Sequence, residues 1–84
     1  MNGEITEQDI RKIYEGAYRI AEEVGNSSFT LGLEDHVYSL LTHPIFGVQK
    51  IDRRVSETSL RIYRKEYAEK FMDLKDKQRG AQGQ

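Results

Sequence analysis

TEQDIRKIYEGAYRIAEEVGN, residues 6–26, decides the fold. Ile10, Ile13, Tyr14, Ala17, Tyr18, Ile20, Ala21 and Val24 recur at three- and four-residue intervals, the period of an α-helix with one apolar face. Thr6 supplies a hydroxyl that accepts from a first-turn amide, and Asp9 three residues on completes a shortened capping box. Ile5 before the cap can staple onto Ile10, and Gly25 with Asn26 closes the C-terminus. The polar side reads Glu7, Arg11, Glu15, Arg19, Glu23, alternating in sign every four residues, the pattern of a solvated, self-paired face. Gly16 either admits the close approach of another helix or is a tolerated cost of about 1 kcal/mol against Ala.

Downstream, residues 26–32 (NSSFTLG) read as a loop, with Phe29 and Leu31 folding back as a plug for the core. A second helix is expected over about 33–42, with Glu34 and Asp35 in its first turn and Leu33, Val37, Leu40 and Leu41 as its buried stripe. Pro44 bars His43 from easy α geometry and so ends it. Pro44 also suits a first helical position, and Ile45, Val48 and Ile51 fall at intervals of three, so a short helix is expected over about 44–52, with a loop the main alternative because Gly47 lies inside it.

Ser56 caps the last helix, whose stripe is Leu60, Tyr63, Tyr67, Phe71 and Leu74 and which is expected to end near Lys77. The predicted fold is all-α, a small bundle of three main helices plus one short helix. Residues 1–79 form a single helical domain and 80–84 a disordered tail. Its core is expected to hold Ile10, Ile13, Ala17, Val37, Leu40, Leu41, Leu60, Tyr63, Tyr67 and Phe71.

Composition narrows function. The 84 residues are 37% apolar and 32% charged, and none is Cys, which excludes disulfides and thiolate chemistry. No run approaches the ~18 apolar residues of a membrane span, and Met1 to Glu7 lacks a signal-peptide pattern, so a cytoplasmic protein is expected. His36, Ser39 and His43 are three and four residues apart, but no acid completes a nucleophilic set and no third good ligand completes a metal site. No enzyme activity, cofactor or metal is expected. Charge is unevenly spread: residues 1–49 carry three basic and eight acidic side chains, residues 50–84 ten basic and six acidic. Such asymmetry marks either a polyanion-binding half or two halves that attract one another.

On the last helix the charges are partly sorted. Arg61, Arg64, Lys65, Ala68, Met72, Lys75 and Arg79 line one face, with Glu57 the only acid near it, and Glu66, Glu69, Asp73 and Asp76 another. Ile62 and Met72 lie off the apolar stripe and suit a partner or a dimer seam along this helix. A short helix, a turn at Arg53 and Arg54, and then VSETSLRIYRKEY has the form of a helix-turn-helix. Val55, Ser56, Leu60, Arg61, Tyr63 and Arg64 match a pattern that resembles the recognition helix of bacterial and phage helix-turn-helix proteins, including the MerR-type regulators. Arg54 departs from it, standing where these proteins place Gly, and Lys50 stands where they need a small residue.

Two readings of function follow. The resemblance implies a small DNA-binding regulator, with Glu57, Thr58, Ser59 and Arg61 offered to base edges and Arg53, Arg54, Arg64 and Lys65 to phosphates. The alternative is an adaptor or inhibitor that docks a basic, Tyr-rich helical face on an acidic surface of a larger protein.

Overall fold

The structure, a computed structural model, describes residues 5–45 and 47–82. It is all-α. Helix α1 spans Glu7–Val24, α2 Ser27–Leu41 and α4 Glu57–Gln82, with a single helical turn, α3, at Gly47–Lys50. The long helices run up, down and up in a bundle 49 × 18 × 18 Å.

Local signals set the ends of α1. Thr6 Oγ1 accepts from the Asp9 amide at 3.3 Å, and Asp9 accepts in return from the Thr6 amide at 3.0 Å. That carboxylate is held below its ordinary pKa, first by the Thr6 amide and then by its hydroxyl. Gly25 takes φ 71°, a left-handed conformation that costs a side-chain-bearing residue, and its N–H donates to the Ala21 carbonyl at 3.0 Å.

Only Gly25 and Asn26 separate α1 from α2. The expected loop over 26–32 is therefore overturned: Asn26 is the N-cap of α2, its Oδ1 accepting from the Phe29 amide at 2.9 Å. Gly32 lies inside α2 because its helix cost, about 1 kcal/mol, is matched by a good cap. A helix starting at Ser27 turns Thr30, Glu34, Val37 and Leu41 inward. Phe29 and Leu31 then lie about 100° to either side of Thr30, so neither plugs the core, and Leu40 also faces outward.

The core is Ile10, Tyr14, Ala17 and Ala21 of α1, Val37 and Leu41 of α2, Ile51, and Leu60, Tyr63, Tyr67, Phe71 and Leu74 of α4. Ile13 and Leu40, expected inside, are exposed. Tyr14 stacks on Tyr67 with ring centroids 4.9 Å apart, and Tyr18 meets Phe71 edge-on at 5.5 Å. Both geometries suit the aromatic quadrupole. Desolvation pushes the Tyr14 hydroxyl above its ordinary pKa.

The connection from α2 to α4 replaces the helix expected over 44–52. Pro44 and Ile45 form a turn, and only Gly47–Lys50 is helical. Gly47 explains this: a Cβ there would strike the backbone carbonyls of Leu40 and Leu41, so the chain folds back against the end of α2. Ile51, not among the expected core residues, turns inward and Ile45 is exposed, while Phe46 and the side chain of Val48 lie outside the described residues. An isolated parallel bridge fixes the connection to the start of the chain. The Ile5 amide donates to the Lys50 carbonyl at 2.9 Å and the Asp52 amide to the Ile5 carbonyl at 2.8 Å. The α3 turn packs on α2, and among the described residues its backbone does not come close to α4.

Ser56 caps α4 as expected, accepting from the Ser59 amide at 3.1 Å. The helix runs past Lys77 to Gln82, so residues 80–82, expected in a tail, are helical; Gly83 and Gln84 lie outside the described residues. Gln78 holds this end in place. Its Nε2 donates to the Ala21 carbonyl of α1 at 3.0 Å, and its Oε1 accepts from Thr30 Oγ1 of α2 at 2.6 Å.

Candidate functional site

The sequence places seven residues at a binding face, and the structure divides them. Arg64, partly exposed, is taken up by acids of α2. Its guanidinium donates to Glu34 at 3.4 Å and Asp35 at 3.2 Å, and it lies over the Tyr38 ring at 4.1 Å. Glu34 is itself buried, so α2 brings a carboxylate into the core and α4 supplies its counter-charge. Arg54 is closed on Asp52 by two side-chain bonds of 3.1 and 2.9 Å. The pair holds the Asp52 carboxyl down to about 2, the Arg54 side chain being the main cause and its amide the next. Ser59 is partly buried and engaged with Ser56 at the cap. Thr58 is exposed in the first turn of α4, and Arg61 is exposed with Glu57 3.8 Å away. Arg53 and Lys65 are exposed and have no ion-pair partner among the described residues.

Sixty degrees and more away from the buried stripe, α4 keeps one continuous exposed line on its α2 side. Arg61, Lys65, Met72 and Arg79 follow one another at four- and seven-residue steps, which bring side chains onto one helical face. Lys75, close to this line, is mostly covered and pairs with Asp76 at 3.4 Å. Shallow grooves of about 280 Å³ flank the start of the line. One is lined by Tyr38, Thr42, Glu57, Leu60 and Arg61, and the other by Ile51, Asp52, Arg53, Val55, Glu57 and Leu60.

The tyrosines expected on that face are elsewhere. Tyr63 and Tyr67 lie in the seam between α1 and α4, with their hydroxyls donating to carboxylates of α1. Tyr63 reaches Glu7, and Tyr67 reaches Glu15 at 3.2 Å. Arg11 sits 4.7 Å from the Tyr63 ring centroid and pairs with Glu66 of α4 at 3.4 Å. Glu7, Arg11 and Glu15 of the alternating charges on α1 thus serve α4 rather than one another. Both tyrosine hydroxyls are held above their ordinary pKa, Tyr63 chiefly by its bond to Glu7 and Tyr67 chiefly by desolvation.

A second exposed feature went unread in the sequence. Ile13, Ile20 and Val24 of α1 and Phe29 and Leu40 of α2 are all between 38% and 53% exposed. Reading Asn26 as a helix cap would have revealed it, because α2 in its true register sends Phe29 and Leu40 to one side. Among the described residues no group of three His, Asp or Glu side chains is placed to hold a metal ion, and no helix is long and apolar enough to cross a membrane. Comparison with protein-family models, curated proteins and solved structures returns no match.

Proposed function

We propose that the chain is a small protein-binding adaptor or inhibitor that docks the exposed line of α4 on an acidic, amphipathic surface of a larger protein. One observation carries this reading: Arg61, Lys65, Met72 and Arg79 stand along one side of a 26-residue helix with nothing in the bundle covering them. Three cations around a methionine match an acidic segment with an apolar centre. Among the described residues the one ion pair that these cations make, Glu57 on Arg61, is an exposed pair worth about 0.3–0.5 kcal/mol, which a partner can displace.

The DNA-reading alternative draws less support. It needs Arg54 and Arg64 for phosphates, and both are engaged by acids of this chain. It also needs a helix braced across α4, where a single turn resting on α2 stands.

The test pairs capture with charge reversal. The wild-type chain should retain one protein stoichiometrically from nuclease-treated extract of its source cell. Lys65→Glu with Arg79→Glu should abolish that retention, and Lys12→Glu on α1 should not. Duplex DNA retarded at about physiological salt, with affinity falling steeply as salt rises, would overturn the reading in favour of DNA.

A further inference from the structure

We infer that a second copy of this chain covers the exposed apolar face of α1 and α2, with the two α1 helices antiparallel across a two-fold axis. This face lies apart from the α4 line above, and the inference stands without it.

The face is unpartnered for a geometric reason. At 100° per residue, Ile13, Ile20 and Val24 lie within about 20° of one direction on α1. The groups of α1 that meet α4 (Glu7, Arg11, Glu15 and Tyr18) point more than about 100° away from it. On α2 the same division holds. Asp35 and Tyr38 turn toward Arg64 of α4, while Phe29 and Leu40 lie on the opposite flank, toward α1. Five half-exposed apolar side chains therefore border one groove, on the side of the helical hairpin that α4 leaves bare. A second hairpin there would complete a four-helix layer pair.

Self-complementarity identifies the occupant. Ile13, Ile20 and Val24 stand at seven- and four-residue steps, one exposed apolar line along α1. Running two such lines antiparallel sets Ile13 against Val24 of the second copy and brings the two Ile20 side chains together near the two-fold axis. Gly16 borders the same seam, and nothing lies within 4 Å of where its Cβ would be, so the backbones can approach closely. Lys12 and Glu23 both lie about 90° round from the seam, on the rim away from α2. Neither has an ion-pair partner among the described residues. In the antiparallel arrangement Lys12 of each copy faces Glu23 of the other, twice over. A parallel two-fold pair would place the Lys12 and Glu23 rims of the two copies on opposite sides of the interface and leave these charges without each other, so charge selects the antiparallel one. The α4 helices are left on the two outer sides.

Sedimentation equilibrium of the full chain from about 1 to 500 μM tests this. A reversible dimer is expected. Ile20→Glu should leave it monomeric with an unchanged helical circular dichroism spectrum, because Ile20 is 53% exposed and outside the core. Ile62→Glu, on the far side of α4, should leave the dimer intact. Lys12→Glu should weaken dimerisation about tenfold, and Lys12→Glu with Glu23→Lys should restore it. A chain monomeric throughout overturns the inference and leaves the face to a different protein. So does a dimer that survives Ile20→Glu but is lost with Ile62→Glu, which would place the seam on α4. A Lys12→Glu variant that dimerises as the wild type does would overturn the antiparallel register.

Discussion

Replacing Thr30 by Val tests the packing of all three helices at once. Thr30 is fully buried, and its hydroxyl lies 2.6 Å from Gln78 Oε1 and 3.0 Å from the Asn26 carbonyl. Val has the same shape and nearly the same helix propensity, so the substitution removes one polar atom without opening a cavity. It leaves Gln78 Oε1 buried without its donor, a desolvation loss of about 1–3 kcal/mol. Against a total of roughly 4–12 kcal/mol for 84 residues, that is a large share. At about 4–8 °C per kcal/mol for a domain of this size, the thermal midpoint should fall by at least about 4 °C. The double variant Thr30→Val, Gln78→Met removes both partners. The Ala21 carbonyl that Gln78 also engages keeps the Gly25 amide at 3.0 Å, so no backbone group is orphaned. The double variant should therefore be more stable than the sum of the two single changes predicts, by about 1 kcal/mol or more. Thermal and urea melts of the four proteins complete the cycle. A Thr30→Val midpoint equal to wild type, or strict additivity, would refute the contact and the start of α2 at Ser27.

Three further outcomes are expected. Gly47→Ala should destabilise by about 2 kcal/mol or more, because its Cβ meets backbone carbonyls that cannot move aside; Gly16→Ala, in open space, should be neutral or stabilising by urea melt. Arg64→Ala strips the counter-charge from the buried Glu34 and should cost about 1–3 kcal/mol, discounted because Arg64 is partly exposed. Lys65→Ala, one residue on, should stay within about 0.5 kcal/mol by the same measurement. Asp52, held down to about 2 against an ordinary 3.8, favours the fold above about pH 4, and that contribution is lost as pH falls through 2. In side-chain carboxyl NMR titrations Asp52 should titrate near 2, and Arg54→Ala should return it toward 3.8; an unchanged midpoint would discount the pair.

Helix α1 was legible in the sequence from end to end, because its cap, its apolar period and its terminal glycine are local signals that agree. The cap and buried stripe of α4 were equally plain, as was the all-α class. What the sequence misread depended on distance. Asn26, Ser27 and Ser28 favour a turn or a helix cap equally, and only the docking of Thr30 on Gln78, 48 residues away, selects the helix. Gly47 and Pro44 looked compatible with a helix until the end of α2 lay against them. The basic residues of 53–65 looked like one surface because the one-dimensional chain does not show which acids fold back on them. Asp52 takes Arg54, Glu34 and Asp35 take Arg64, and Arg53, Arg61 and Lys65 are left at the surface. Periodicity sets which side of a helix is apolar. It does not say how much of that side the neighbouring helices have room to cover, and so Ile13, Ile20 and Val24 belong to the apolar face of α1 yet remain at the surface.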